Sequence, residues 1–209
     1  MVSLDEMIKG AWIEGEQLKT PGPKFIKQLA NLLVELHSMP HGPNFATYDD
    51  IPESNMRNVI YDLVNWLERD TFCEDALYDF YAIRSHLDKR FYLHGDLWKQ
   101  NILVDKEGNL SGLRDWESFS YGDPHWDFRM IRRWIGWGGL DELLWRYNSK
   151  VEWTCDRTYI EILDKISICN SIKIRQERGL LRHDKPDALE IFEKLKLDFK
   201  SPHFAGFLW

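Results

Sequence analysis

Cysteine is scarce in this chain, with three among 209 residues. Cys73, Cys155 and Cys169 form no Cys-x-x-Cys pair and fall in helix-like segments. This distribution favours reduced thiols over disulfide bonds or structural zinc. The seven histidines show no metal-ligand spacing with the cysteines or with one another. The sequence therefore predicts neither a disulfide scaffold nor a zinc site.

Long apolar segments are absent as well. No run of about eighteen apolar residues occurs, so no membrane span is predicted. The start, Met-Val-Ser-Leu-Asp-Glu, lacks the basic residues and the apolar core of a signal peptide. Together with reduced thiols, these features predict a cytoplasmic protein without a membrane partner. A net charge of −7 argues against nucleic acid as the main partner.

Two glycine-rich nucleotide-binding patterns are missing too. Neither Gly-x-Gly-x-x-Gly nor Gly-x-x-x-x-Gly-Lys-Ser/Thr occurs anywhere in the chain. What is present is an ordinary globular composition, 44% hydrophobic and 29% charged, without an internal repeat or a linker. We therefore expect one domain over residues 1–209.

Residues 91–115 carry the most informative pattern in the chain. Apolar runs at 91–93, 102–104 and 110–113 predict three short strands, and a polar, glycine-containing turn separates the last two. Asp96, Asn101 and Asp115 stand just after or just before these runs. The sequence therefore predicts a small hairpin that gathers three oxygen-bearing side chains at one end.

The chemistry that suits these side chains is phosphoryl transfer. Mg²⁺ prefers carboxylate, amide-carbonyl and phosphate oxygens and keeps several of its waters. One carboxylate and one amide oxygen can hold the ion, while a second carboxylate orients and deprotonates an attacking hydroxyl. The alternative is that Asp96 and Asn101 are turn residues that hydrogen-bond the local backbone.

The segment HGDLWKQNILVD…GLRDWESFSYGDPHWDF resembles the aminoglycoside phosphotransferase and choline kinase superfamily, and its HGDLW opening also resembles the fructosamine kinases. The resemblance implies an α+β fold, namely the mostly helical C-terminal lobe of a protein-kinase-like phosphotransferase. It implies a catalytic base at Asp96, Mg²⁺ and nucleotide binding at Asn101 and Asp115, and a bracing role for His94. Asp127, in the Gly-Asp-Pro-x-x-Asp segment, would have a structural hydrogen-bonding role. The implied cofactors are ATP or GTP with Mg²⁺.

Residues 1–18 resemble the hinge between the two lobes of such a kinase, followed by the catalytic hairpin at 91–115 and C-terminal helices at 124–200. A complete member would carry roughly 80 to 100 further residues in a small lobe that supplies a phosphate-covering loop and a lysine. Three interpretations therefore stay open: an active small-molecule kinase, an inactive module that binds nucleotide or protein, and a large lobe that pairs with a separate small lobe. We expect self-association or a lobe-supplying partner, because uncovered apolar surface tends to find one.

Apolar residues at helical spacing predict the remaining elements. The expected helices run over 25–37, 56–68, 75–87, 124–134, 141–147, 159–178 and 184–196, with a turn at 135–139.

Ten tryptophans are many for this length, and five of them cluster just after the Asp115 segment: Trp126, Trp134, Trp137, Trp145 and Trp153. They form either a cation-binding aromatic cage or ordinary packing on amphipathic helices, and the second interpretation is favoured. Lys99 would either neutralise phosphate charge or stay solvated. Arg114 stands where the family commonly has an apolar residue. The acceptor stays open among aminoglycosides, choline-like amines, sugars and amino alcohols.

Overall fold

The computed structural model describes residues 16–17, 23–40, 75, 78, 79, 82 and 91–177 of the chain. Side chains in the last helix are described as far as residue 168. The strands are β1 Glu16–Gln17, β2 Phe91–Leu93, β3 Ile102–Val104, β4 Leu110–Leu113 and β5 Ser120–Gly122. The α-helices are α1 Phe25–His37, α2 His125–Phe128, α3 Arg132–Asn148 and α4 Arg157–Glu177, with 3₁₀ turns at Lys99–Asn101 and Trp116–Ser118.

These elements confirm the α+β class and the three predicted strands of the 91–115 region. The strands are divided between two small antiparallel sheets, one ordered β1-β3-β4 and the other formed by β2 and β5. Strand β2 therefore does not belong to the hairpin, because it pairs with β5, which places Phe91 opposite Gly122. The hairpin itself consists of β3 and β4, with Ile102 opposite Leu113 and an irregular register after Leu103.

The tip of this hairpin is closed by one aspartate. Asp105 accepts hydrogen bonds from the backbone amides of Glu107 at 3.0 Å and Asn109 at 2.8 Å. Gly108 has a φ of 76°, in the left-handed region that favours glycine. This turn fixes the register of β3 against β4. It therefore also fixes which residues of the two strands lie side by side at the opposite end of the hairpin.

Helix α1 follows the predicted amphipathic pattern. It begins at Phe25 and buries Phe25, Leu29, Leu33 and Leu36, while Leu32 is half-buried. It packs on α3 and also contacts β2 and β4. The core that it shares with the hairpin and the later helices includes Leu97, Ile102, Leu113, Phe128, Ile131, Leu140, Leu143 and Tyr147.

The predicted helix over 124–134 is divided in two. Helix α2 ends at Phe128 and α3 begins at Arg132. Backbone bonds between residues three apart, such as Ile131 to Phe128 and Arg133 to Met130, tighten the chain between them. The predicted turn at 135–139 is a kink within α3, where Gly136 has φ 71° and ψ 177°.

Helix α4 confirms the predicted helix near 159–178, and Ile162, Leu163 and Ile166 are buried. Asp75, Tyr78, Asp79 and Ala82 are helical, as the pattern over 75–87 predicts. The helices predicted over 56–68 and 184–196 lie outside the described residues.

Candidate active site

The side chains of Asp96 and Asn101 are in direct contact. Asp96 lies half-buried in the loop after β2, and Asn101 is buried at the end of the 3₁₀ turn. The Asn101 Nδ2 donates to the Asp96 Oδ2 at 3.0 Å and to the Asp96 backbone oxygen at 2.9 Å. The predicted base and the first predicted metal ligand are thus held as one unit.

This contact fixes which way each side chain is oriented. Rotating the Asn101 amide by half a turn would bring its oxygen against a carboxylate oxygen, with no proton between them. The Asn101 Oδ1 is therefore directed away from Asp96. Across the described part of the chain, no hydrogen-bond donor reaches the Oδ1 of either side chain.

Asp115 lies at the end of β4, next to Asn101. The backbone amide of Arg114 donates to the Asn101 backbone oxygen at 3.0 Å, which continues the pairing of Ile102 with Leu113. Asp115 has φ 64° and ψ 67°, and it is the one non-glycine residue with a positive φ among those the structure describes. Its exposed side chain makes no hydrogen bond within the same ranges. The structure thus brings the backbones of all three predicted site residues to one end of the hairpin.

His94 connects the loop of Asp96 to the segment of Asp115. Its Nδ1 accepts the backbone amide of Asp96 at 3.3 Å, and its Nε2 lies 3.0 Å from the backbone oxygen of Arg114. Because a carbonyl oxygen can only accept, the proton of the neutral ring is on Nε2. The ring is fully buried and lies 4.5 Å from the Trp116 ring, centroid to centroid. This is the geometry of a brace rather than of a proton carrier.

Asp127 anchors the same loop through hydrogen bonds with the loop's backbone amides. Its two oxygens accept the backbone amides of His94 at 2.9 Å and Gly95 at 2.8 Å, and His37 Nε2 lies 3.3 Å from Oδ2. Burial by itself would raise the pKa of this carboxyl. The hydrogen bond and charge of His37 and the hydrogen bond from the Gly95 amide outweigh it and hold the pKa below its ordinary value. Asp127 therefore stays ionised and fixes the start of the loop.

Gly95 is the residue that lets the chain turn between His94 and Asp96. Its φ is 82°, and a Cβ there would lie 2.1 Å from the backbone oxygen of Ser118. No other residue type fits this position without moving the backbone.

The contacts of Arg129 with this loop were not predicted. Its side chain is buried, donates from Nη2 to the Gly95 oxygen at 2.9 Å and from Nη1 to the Trp126 oxygen at 2.7 Å, and stacks 3.9 Å from the Trp126 ring. Burial lowers its pKa to about 10, although the charges of Asp127 and Asp96 oppose that shift. Because an arginine within a predicted amphipathic helix normally indicates a solvated face, no sequence pattern indicates this contact.

Four of the five tryptophans pack against different partners, whereas Trp145 is 68% exposed. Trp134 meets Phe25 edge to face, and Trp153 stacks on Phe91 at 4.1 Å and donates to the Tyr147 hydroxyl at 2.9 Å. Arg132 and Arg157 each lie 4.6 Å from the Trp137 ring. These contacts support the packing interpretation.

The predicted hinge segment is described at Glu16 and Gln17. They form β1, which pairs antiparallel with Val104 and Leu103 of β3 and contacts the 3₁₀ turn that ends at Asn101. The hinge segment therefore adjoins the candidate site. The rest of residues 1–18 lies outside the described ranges.

Among the described residues, no helix is both long enough and apolar enough to cross a membrane. In those same ranges, no group of three or more His, Cys, Asp and Glu side chains could hold a metal ion.

Three solved structures that share this fold are named as phosphotransferases or as a kinase family protein. The chain resembles spectinomycin phosphotransferase APH(9)-Ia, in a complex with ADP and spectinomycin, with a TM-score of 0.63, 18% identity, and coverage of 93% of this chain and 67% of that one. It resembles macrolide 2′-phosphotransferase type I with a TM-score of 0.58, 19% identity, and coverage of 88% and 64%. It also resembles a choline/ethanolamine kinase family protein of Mesorhizobium loti, with a TM-score of 0.59, 18% identity, and coverage of 88% and 65%.

Among curated proteins, the uncharacterized protein YcbJ of Bacillus subtilis (strain 168) is 25% identical over 137 residues, which cover 62% of this chain and 44% of YcbJ. The chain thus spans less than half of the length of this relative. A family model described as the phosphotransferase enzyme family, APH, matches residues 3–158. Because this match covers well over half of the chain, the protein belongs to the APH phosphotransferase family.

Proposed function

We propose that this protein transfers a phosphoryl group from ATP or GTP to a hydroxyl group of a small molecule. In this proposal Asp96 is the catalytic base, and Asn101 and Asp115 hold Mg²⁺. The observation that carries it is the 3.0 Å hydrogen bond from Asn101 Nδ2 to Asp96 Oδ2, with Oδ1 of both side chains left without a donor in the described ranges. A turn-stabilising role alone would not require those oxygens to stay unpaired.

The residues present fit Mg²⁺. The Asn101 Oδ1 and the Asp115 carboxylate are hard oxygen ligands at one end of the hairpin, and phosphate and water would complete the coordination. The left-handed backbone of Asp115 is a second supporting observation. Such conformations in non-glycine residues cost about 1 to 3 kcal/mol and cluster at functional sites.

The protein's own part in the reaction is to position the reactants and to accept a proton. When bound, Mg²⁺ would neutralise charge on the phosphates. Asn101 orients the Asp96 carboxylate through Oδ2, so Oδ1 is the oxygen that accepts the proton of the attacking hydroxyl. His94, Asp127 and Gly95 keep the loop in place and take no chemical part in the reaction.

The acceptor is proposed only as a small hydroxyl compound. Members of this fold are described as phosphotransferases for spectinomycin and macrolides and as a choline/ethanolamine kinase family protein. These names define a test panel of an aminoglycoside, spectinomycin, a macrolide, choline, ethanolamine and a sugar. A cytoplasmic location, where ATP is available, is part of the proposal.

The test measures nucleotide consumption by the full chain with Mg²⁺ across this panel, beside Asp96→Asn and Glu107→Gln, which changes an exposed carboxylate at the hairpin tip. We expect one acceptor to stimulate consumption, Asp96→Asn to bind Mg²⁺-nucleotide about normally while losing turnover, and Glu107→Gln to match the wild type. Equal activity of Asp96→Asn would contradict the assignment of the base. If nucleotide raised the melting temperature but no acceptor stimulated consumption, the result would favour a nucleotide-binding module without catalysis.

A further inference from the structure

Arg114 occupies a position between the two proposed metal ligands. It directly precedes Asp115 in the chain. Its Nε donates a hydrogen bond to the backbone oxygen of Gln100 at 3.0 Å, and Gln100 directly precedes Asn101. Its own backbone is fixed as well, because its amide donates to Asn101 and its carbonyl accepts from His94, each at 3.0 Å. The guanidinium is therefore held beside both ligand-bearing segments.

Most of this guanidinium is available for a ligand. Arginine has five N–H donors, and only the one on Nε has an acceptor among the described residues. The residue is exposed, and no carboxylate of the described ranges forms an ion pair with it. Its neighbour Asp115 makes no such pair although it follows directly in the chain. The Nε contact fixes the guanidinium at Gln100 while leaving the donors on Nη1 and Nη2 unused.

The charge balance of the proposed site requires such a group. Mg²⁺ would neutralise part of the triphosphate charge, but Asp96 and Asp115 add two negative charges of their own, so negative charge is left for cationic side chains. A planar guanidinium that presents two terminal nitrogens matches the oxygens of a phosphate better than a point charge does.

We infer that Arg114 binds the phosphate chain of the nucleoside triphosphate at the site formed by Asn101 and Asp115. This inference rests on the proposed function. It assigns a ligand contact to a residue at which the family resemblance predicts an apolar side chain. The competing role is structural, in which the Nε contact only ties the Gln100 segment to β4.

The test compares binding of MgATP and of adenosine to the wild type, Arg114→Gln, Arg114→Lys and Lys106→Gln. Lys106 is exposed at the opposite end of the same hairpin. Lys106→Gln therefore also removes one positive charge, but at a position distant from the site. We expect Arg114→Gln to weaken MgATP about tenfold to a hundredfold, the loss typical of charged hydrogen bonds. Adenosine affinity and the melting temperature of the free protein should stay near wild type. Arg114→Lys should recover part of the loss, and Lys106→Gln should match the wild type.

Three outcomes would overturn the inference. If Arg114→Gln bound MgATP like the wild type, the phosphate contact would be absent while the proposed function stood. If that variant weakened MgATP and adenosine alike and also melted earlier, the residue would be a structural tie. If the wild type bound neither MgATP nor MgGTP, the proposed function would fail together with this inference.

Discussion

The carboxylate of Asp127 accepts a hydrogen bond from the backbone amide of Gly95 at 2.8 Å. This contact ties helix α2 to the loop that carries Asp96, across 32 positions of the chain. The fold thereby uses a buried charge to hold the candidate active site.

Asp127 should make stability depend on pH. Its pKa is lower in the folded protein than the ordinary value of an aspartate carboxyl group, so the ionised form contributes stability that is fully present above that ordinary value. That contribution is lost as the pH falls through the folded pKa. We expect Asp127→Asn to lower the free energy of unfolding by at least about 2 kcal/mol near neutral pH, because charged hydrogen bonds are lost.

Thermal unfolding between about pH 3 and pH 7 measures this effect. The difference in melting temperature between the wild type and Asp127→Asn should be constant near neutrality and should narrow in acid. Asp105→Asn is the comparison at an exposed carboxyl, whose pKa is also lowered, chiefly by its hydrogen bonds to Asn109. If the difference in melting temperature between the wild type and Asp127→Asn stayed unchanged down to about pH 3, the charge of Asp127 would not be what stabilises the fold.

Gly95 and Gly138 should respond oppositely to alanine. At Gly95 the new Cβ would lie 2.1 Å from the Ser118 oxygen and φ is 82°, so Gly95→Ala should displace the loop and reduce both stability and nucleotide turnover. At Gly138, within α3, a Cβ meets nothing within 4 Å. Gly138→Ala should therefore stabilise the protein by about 0.5 to 1 kcal/mol. Denaturant unfolding of both variants checks this, and similar losses in the two would refute it.

Much of this site follows from local sequence patterns. The apolar runs around Asp96 and Asn101 predict the strands, and the Asp105 to Asn109 turn predicts the hairpin, because both depend on residues close together in the chain. The pairing of β2 with β5 is not predicted, since a strand of three residues does not specify a distant partner.

Buried charges are the other feature that the sequence does not reveal. Arg129 contacts Gly95 across 34 positions, and Asp164 contacts Arg132 across 32. Charged residues on helices normally indicate exposed faces, so their burial can be recognised only once tertiary neighbours are known. The left-handed backbone of Asp115 is equally hidden, because the hairpin end and the His94 brace impose it, not the residue type.

Substitution of Asp115 should abolish Mg²⁺-dependent nucleotide binding without destabilising the fold. Glycine accepts a φ of 64° without the penalty that other residues have, although it loses more entropy on folding. We expect Asp115→Gly to leave the fold at least as stable as the wild type, with a gain of up to about 2 kcal/mol in the free energy of unfolding, because relief of the backbone strain exceeds the entropy cost of glycine. Mg²⁺-dependent nucleotide binding, measured by calorimetry with and without the ion, should be lost.

Asp115→Asn is the matched control for that experiment. Asparagine also tolerates the left-handed region and keeps the side-chain shape, but it removes the charge. It should fold like the wild type and bind Mg²⁺-nucleotide more weakly. Mg²⁺-dependent binding that survived in Asp115→Gly would remove Asp115 from the proposed metal site.

Asp164 should be among the most sensitive positions for stability. It is 1% exposed and accepts hydrogen bonds from Arg132 Nε at 2.9 Å and Arg133 Nε at 2.6 Å, which joins α4 to α3. Asp164→Asn would remove the carboxylate charge that these guanidinium groups contact in a buried site, so we expect a loss of about 3 to 5 kcal/mol in the free energy of unfolding. Asp141 pairs with Arg157 at 2.9 Å on the surface of the same two helices. Asp141→Asn should cost less than about 1 kcal/mol, because water screens an exposed pair. Urea unfolding of both variants gives the comparison, and equal losses would show that burial does not set the strength of these ion pairs.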